Sequence, residues 1–280
     1  MARDTSFSYS FLVLPPEQRR AIGAIWDFCR AVDDAVDEAT DPQSAEAEVS
    51  MWRDEVARLF GSEAPQTPQA RQLQPVIAEF SLARQPFEDL VDGVEMDLRR
   101  SRYATFDELI GYCRRVASAV GLMCVEVFGS RDPRSRDYAF NLGLALQLTN
   151  IIRDVKTDLQ IGRLYLPQED LSRFGVTEEA LAAGTVTEPI RKLLAFECQR
   201  ARQFFTSAAQ AMPPGDARKL VAAEIMGAIY YDILQRIERR GYDVFSEVIR
   251  VPKLARARIA LQVWTMARLS AFGWLLTRSS

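Results

Sequence analysis

Asp33 and Asp37 stand four residues apart in Arg30-Ala31-Val32-Asp33-Asp34-Ala35-Val36-Asp37. Asn150, Asp154 and Asp158 repeat that step within Gln147-Leu148-Thr149-Asn150-Ile151-Ile152-Arg153-Asp154-Val155-Lys156-Thr157-Asp158. On a helix, residues four apart share one face roughly 6 Å apart along the axis, so each stretch is an oxygen-bearing stripe. Like charges at that spacing repel, and a chain that does this twice within otherwise apolar helices needs a compensating cation. Hard oxygen ligands without imidazole or thiolate partners suit Mg²⁺, which bridges a few carboxylates to substrate phosphates. That combination points to chemistry on a diphosphate.

An acidic cluster on a helix is usually a solvated face, and taken alone the first motif would be read so. Its flanks argue otherwise, because Asp33 and Asp37 sit in phase with Ile22, Trp26 and Arg30, a stripe expected to face the core. Arg30, one turn before Asp33, is placed to hold a diphosphate through charge-assisted hydrogen bonds. In the second motif Leu142, Leu146 and Ile151 predict a buried helix, on which Asn150, Asp154 and Asp158 would be costly to bury unpaired. Either a metal compensates them, or Arg153 and Lys156 do so in a structural ion network. Two such motifs in one chain favour the metal and diphosphate.

Composition removes other chemistries. The chain has 35 Lys and Arg against 38 Asp and Glu, a net charge of -3, so no basic footprint for nucleic acid is present and none is expected as a partner. It contains no histidine, which excludes Ser-His and Cys-His couples, imidazole metal ligands and an imidazole base. Acid-base work falls to carboxylate, Tyr, Lys, water or the substrate's own phosphates. No Walker loop and no Gly-x-Gly-x-x-Gly after a strand is found. Cys29, Cys113, Cys124 and Cys198 lie far apart, without metal or redox spacing, and no basic-then-apolar leader opens the chain. A reducing, cytoplasmic setting is the simplest expectation.

These residues need helices to position them, and nearly every segment reads with a helical period. The fold is predicted all-α, one domain over residues 1–280, with helices near 15–39, 43–60, 69–100 broken at Pro86, 106–128, 133–160, 188–211, 215–240 and 253–276. Packed as a bundle, they would enclose the site. Turn chemistry separates them at Gly61 to Pro68, Gly129 to Pro133, Ala183 to Pro189 and Pro213-Pro214-Gly215, none long enough for an interdomain linker. Ile161 to Gly175, with Gly162 and Pro167, is predicted to be a non-helical flap over the site. The Pro/Gln-rich stretch at 64–75 reads as a surface connection.

Taken together, the motifs resemble those of the squalene/phytoene synthases, head-to-head prenyl transferases of the class I isoprenoid synthase fold. Three further signatures agree: Ser6-Phe7-Ser8-Tyr9-Ser10-Phe11 before Leu14-Pro15, Tyr112-Cys113 before Val116-Ala117-Ser118-Ala119-Val120-Gly121, and Gly162-Arg163-Leu164-Tyr165-Leu166-Pro167-Gln168-Glu169-Asp170. The resemblance runs from residue 4 to about residue 260. It is specific because these signatures occur in the family's order, whereas an isolated Asp-Asp-x-x-Asp is shared with chain-elongating prenyl transferases and terpene cyclases.

The resemblance implies a helical bundle around a central apolar cavity. It makes Asp33 and Asp37 one set of Mg²⁺ ligands, and Asn150, Asp154 and Asp158 the opposing set. Arg30 and Arg153 become diphosphate contacts, Gln147 a neighbour of the head group, Ser6 and Phe7 part of a cap over a substrate, and Tyr242 a late tyrosine near a diphosphate. Tyr112 resembles a tyrosine that manages protons and cationic intermediates; alone it would be read as a core aromatic. The implied substrates are prenyl diphosphates, and the first product is a cyclopropyl diphosphate, from two C15 or two C20 chains. The run from Thr149 to Pro167 looks closest to bacterial presqualene diphosphate synthases of hopanoid precursor synthesis, with phytoene or dehydrosqualene synthase as the nearest competitor. An NADPH-dependent reductive step and contact with downstream isoprenoid enzymes stay open.

An allylic cation formed at such a site needs a dry, aromatic-lined wall, to which Phe7, Trp26 and Phe28 are candidates, though single aromatics at helical spacing are more often plain core. Val251 to Ser280 holds five basic residues and no acidic one, too interrupted by arginine to span a bilayer. It either packs onto the bundle or touches the inner membrane surface peripherally. A class I terpene cyclase and a prenyl-binding assembly factor without catalysis are the rival readings. The Ser-Phe-Ser-Tyr and Tyr-Leu-Pro signatures argue against the first, and the retained acids against the second.

Overall fold

Helix starts are written in the sequence as proline and small polar caps. Pro16 opens α1 (Pro16–Asp37), Pro42 opens α2 (Pro42–Leu59) and Pro68 opens α3 (Pro68–Phe80), each at a first-turn position whose N–H has no helical partner. Asp41 caps α2 by accepting from the Gln43 and Ser44 amides at 3.0 and 2.9 Å, and Ser44 answers the Asp41 amide. The computed structural model describes residues 10–39 and 41–269. Among these it is helical throughout, with no strand and one isolated parallel bridge between Arg102 and Leu164.

The helix expected over 69–100 is two helices, and it breaks earlier than Pro86. Ser81 adopts a left-handed conformation (φ 54°) and ends α3, after which α4 (Gln85–Arg99) carries Pro86 in its first turn. Proline is tolerated there because it removes an N–H that would be unpaired anyway. The stretch 106–128 is helical but not uniform: α5 (Phe106–Cys113) passes into a π turn at Arg114–Ser118 before α6 (Ala119–Phe128). Next come α7 (Arg134–Gln160) and α10 (Glu188–Ala211), which pack along each other as the most extensive pair of the bundle. Between them the flap is helical in its second half, a correction to the expected loop. Pro167 leads into α8 (Gln168–Phe174), Gly175 ends it at φ 65°, and α9 (Glu178–Ala182) follows. Only Ile161–Pro167 is irregular. The helix expected from 215 starts at Val221, after the Pro213-Pro214-Gly215 turn, giving α11 (Val221–Arg239), and α12 (Lys253–Leu269) packs on α11.

A contiguous apolar core runs from Leu14 to Ala267. Phe28 belongs to it rather than to a cavity wall: it is fully buried, with its ring edge-on to Trp52 and Phe87 at 5.5 Å each. The four cysteines are unpaired. Helices α1, α4, α6, α7 and α11 leave space between them, and the π turn is what brings α5–α6 close to the others. A Cβ on Gly93 would lie 2.7 Å from Val116 Cγ1, and one on Gly143 2.7 Å from Ser118 Cα, so glycine on α4 and α7 lets the widened turn sit between them.

Candidate active site

The second acidic stripe lies on α7, where Gln147, Asn150, Asp154 and Asp158 follow one another along one face. Facing it across an open cleft of about 270 Å³ are Asp33 and Asp37 of α1, Asp97 of α4 and Tyr112 of α5, with Arg163 and Tyr165 supplied by the irregular Ile161–Pro167 segment. Both acidic motifs therefore converge on one space. Arg163 ties them: its guanidinium donates to Asp37 Oδ1 at 3.1 Å, while its backbone amide donates to the Asp158 carbonyl at 2.8 Å. Arg153 holds Asp154 as a two-pronged pair, at 2.8 and 2.5 Å. Lys156 points elsewhere and donates to the Phe245 carbonyl.

Crowded acids titrate abnormally. Burial and then the neighbouring Asp154 push the Asp158 carboxyl up to about 7, against the pull of Arg163 and Arg153. Asp97 is raised by burial and accepts from two phenols, Tyr112 at 3.0 Å and Tyr165 at 2.9 Å, whose rings stack with centroids 5.2 Å apart. Burial and Asp97 hold the Tyr112 hydroxyl well above its usual range, so it is a neutral donor. Asn150 Oδ1 is buried with no hydrogen-bond partner. Leaving such an acceptor unmet costs about 1–3 kcal/mol, a loss that folded cores rarely tolerate without a ligand to relieve it. Among the described residues no three carboxylates or thiolates gather tightly enough to hold a metal alone. Oxygen donors spread around a cleft, one of them orphaned, fit a Mg²⁺ that completes its shell with a ligand's phosphate oxygens.

Below the cleft opens an apolar chamber of about 260 Å³, and the two share Asp33, Val116, Gln147 and Asn150. Trp26, Leu142, Leu146 and Met226 are among its walls. A polar mouth on a greasy chamber can hold a phosphate at one end and a hydrocarbon at the other. The family model for squalene/phytoene synthase matches residues 1–258.

The chain belongs to the squalene/phytoene synthase family. It is thus an enzyme of the group that joins prenyl diphosphates head to head. It is 38% identical to the 15-cis-phytoene synthase of Synechococcus elongatus, over 88% of this chain and 84% of that one. It is 36% identical to the presqualene diphosphate synthase of Rhodopseudomonas palustris, over 94% of each. Among solved structures, a dehydrosqualene synthase in complex with a ligand superimposes with a TM-score of 0.87 at 27% identity, covering 96% of this chain and 93% of its own. A squalene synthase from Alicyclobacillus acidocaldarius gives 0.76 at 33%, covering 85% and 89%.

Within this synthase most residues singled out in the sequence meet at the mouth: Asp33, Asp37, Tyr112, Gln147, Asn150, Arg153, Asp154 and Asp158 line the cleft, and Trp26 lines the chamber. Ser6 and Phe7 lie outside the described residues; Ser10 and Phe11, just after them, line the chamber. Two of the expected contacts, Arg30 and Tyr242, lie apart from both cavities. Arg30 is exposed, 3.9 Å from Asp34 on the outer side of α1, and lines a separate depression with Asp27 and Gln69. Each four-residue step overshoots a full turn by about 40°, so Ile22, Trp26 and Arg30 walk progressively off the chamber face while Cys29 and Asp33 stay on it. Tyr242 lines neither cavity. The chain reverses after α11 through Gly241 and Tyr242, both left-handed, and the ring sits by Cys198 and Glu238 of α10 and α11.

The structure adds Asp97, Arg163, Tyr165 and Tyr230. Tyr230 is a buried phenol of α11 that bonds with Asn150 and Arg153 and lines the chamber. Asp97 had a signal, an acid in phase with Leu90 and Val94. Arg163 and Tyr165 stood in a recognised run with no role assigned. Nothing local distinguished Tyr230 from the adjacent Tyr231.

Proposed function

We propose that this enzyme carries out a Mg²⁺-dependent head-to-head condensation of two farnesyl diphosphates to presqualene diphosphate. The observation that carries this is the junction itself: a cleft framed by both acidic motifs and two arginines opens directly onto an apolar chamber. The presqualene diphosphate synthase that is similar over 94% of both chains supports the C15 assignment. The competing reading is a C20, phytoene-forming reaction, favoured by relatives such as the Synechococcus enzyme.

In this reading Asp33, Asp37, Asn150, Asp154 and Asp158 hold the metal, with Gln147 beside the head group. When bound, Mg²⁺ supplies charge neutralisation for the departing diphosphate, the electrostatic contribution that dominates such ionisations. Arg163 and Arg153 stand in the cleft as the cationic side chains able to turn from Asp37 and Asp154 to phosphate oxygens. The allylic cation left behind faces Tyr112 and Tyr165, whose stacked rings offer π density, and the chamber keeps water from it. Closure of the cyclopropane releases a proton from carbon. Tyr112 is neutral and already donates to Asp97, so it accepts that proton only by passing its own to Asp97; the freed diphosphate is the alternative acceptor.

The test is purified protein with Mg²⁺ and either C15 or C20 diphosphate, with and without NADPH, and identification of the lipid products. Presqualene diphosphate from the C15 substrate is the expected result; a cyclised C15 hydrocarbon, or product from C20 alone, contradicts it. Tyr112→Phe separates the two proton acceptors: unchanged turnover assigns the step to diphosphate.

A further inference from the structure

The chamber runs parallel to the helices that enclose it, with its cleft-side residues at one end and its far residues at the other. On α1 these are Asp33 and Ile22, on α7 Asn150 and Tyr138, on α11 Tyr230 and Ala222. At 1.5 Å of rise per residue the three helices give a depth of roughly 12–18 Å. The cleft end is open, since Asp33 is exposed. The far end is shut: Ile22, Tyr138 and Ala222 are all buried.

Tyr138 differs from the other residues at that end. It is fully buried, it belongs to the chamber wall, and its hydroxyl donates to Glu224 Oε1 at 2.8 Å, from α7 across to α11. Glu224 is itself only 1% exposed. A buried carboxylate behind an apolar end-wall is a costly choice where leucine would pack, and it is tolerable because it is bonded. What the bond accomplishes is mechanical. It clamps the ring from behind, so the tip of a hydrocarbon chain pressing on the end of the chamber meets a fixed aromatic face rather than one free to swing aside.

We propose that the Tyr138–Glu224 pair is the stop that sets how long a prenyl chain the chamber accepts. This rests on the prenyl diphosphate reading above but not on which chain length is native. Removing the ring opens the end of the chamber by about the space an isoprene unit needs, and bulk added at Ala222, at the same end, shortens the chamber. Differences of one such unit in an apolar pocket discriminate substrates about tenfold or more.

The experiment offers the full chain, with Mg²⁺, an equimolar pair of C15 and C20 diphosphates and follows the ratio of their consumption. Binding of their unreactive thiolo-diphosphate counterparts is measured in parallel by calorimetry. Tyr138→Ala is expected to shift both ratios at least tenfold toward C20, and Ala222→Leu to shift them toward C15. Unfolding curves establish that each variant is folded; should Tyr138→Ala not fold, the Ala222→Leu shift decides alone. Folded variants with the wild-type ratio overturn the stop, as does failure of either chain to bind. Analogues that bind with shifted ratios while no product forms from the true substrates would instead sink the condensation reading and leave the stop standing.

Discussion

Asp158 shows the tension built into the site. Its carboxyl titrates near 7 because burial and Asp154 disfavour its charge. The folded protein therefore holds this proton more tightly than the unfolded chain, whose aspartate titrates near 3.9, so between about pH 4 and 7 stability falls as pH rises. Asp158→Asn removes the cost. Without divalent ions the variant is expected to match wild type below about pH 4, where Asp158 is protonated in both states, and to exceed it in denaturant midpoint at pH 8, while losing at least a hundredfold in turnover. A stability difference that does not change with pH refutes the assignment. Asp97 makes a parallel case. Asp97→Asn keeps the size but weakens the acceptor of two phenols, and is expected to lower kcat with little change in KM, whereas a residue that only packs would lower stability alone. The positions of Asp33, Asp37, Gln147, Asn150, Asp154 and Asp158 around one cleft were legible because spacing along a single helix determines which side chains share a face. Asp97, Arg163 and Tyr230 approach from other elements, and that approach depends on packing no local pattern encodes. Arg30 sits outside the cleft because strict four-residue stepping drifts around the helix.

At the scale of elements, the π turn sets how the walls meet. Gly143 lies inside α7, where alanine would ordinarily be favoured by about 1 kcal/mol. Here its methyl would press on the Ser118 backbone at 2.7–2.9 Å, which cannot yield as a flexible side chain could. Overpacking of this kind costs about 1–3 kcal/mol and outweighs the propensity gain. Gly143→Ala is thus expected to lower stability and, because Gly143 also lines the chamber, to raise KM; a stabilised variant would refute the close approach. The second element at stake is α8, whose buried Asp170 and the buried Glu197 of α10 share Arg200, itself stacked on Phe106 and Phe196. Arg200→Gln strands two buried acids, a loss of about 3–5 kcal/mol measurable by denaturant unfolding. Proline and capping residues made most helix starts readable, and periodicity made their faces readable. The π turn and the helical half of the flap were not, since a widened turn leaves no composition signal and a seven-residue helix is too short for periodicity to separate from a loop.

For the whole molecule, the remaining question is what a catalyst of greasy substrates does with its outer surface, and α12 offers the clearest evidence. Its inner face, Ile259, Val263 and Ala267, packs on the bundle. Its outer face carries Leu254, Leu261 and Leu269 at 87%, 61% and 89% exposure, with Arg258 and Arg268 on the same side. No acid occurs from Val251 to Ser280, and no described helix is long and apolar enough to cross a membrane. We propose that this leucine and arginine face meets an anionic lipid surface, where each cation would contribute about 1 kcal/mol and the leucines would enter the boundary between head groups and acyl chains. We expect the full chain to sediment with vesicles of phosphatidylglycerol and phosphatidylcholine, to release in high salt, and to leave neutral phosphatidylcholine vesicles largely unbound. Leu254→Gln combined with Leu261→Gln should cut the bound fraction severalfold while turnover on detergent-dispersed substrate holds, because neither residue borders the cleft or the chamber. Equal binding to neutral vesicles, indifference to salt, or a wild-type dimer abolished by the same pair of substitutions would assign this face to something other than lipid.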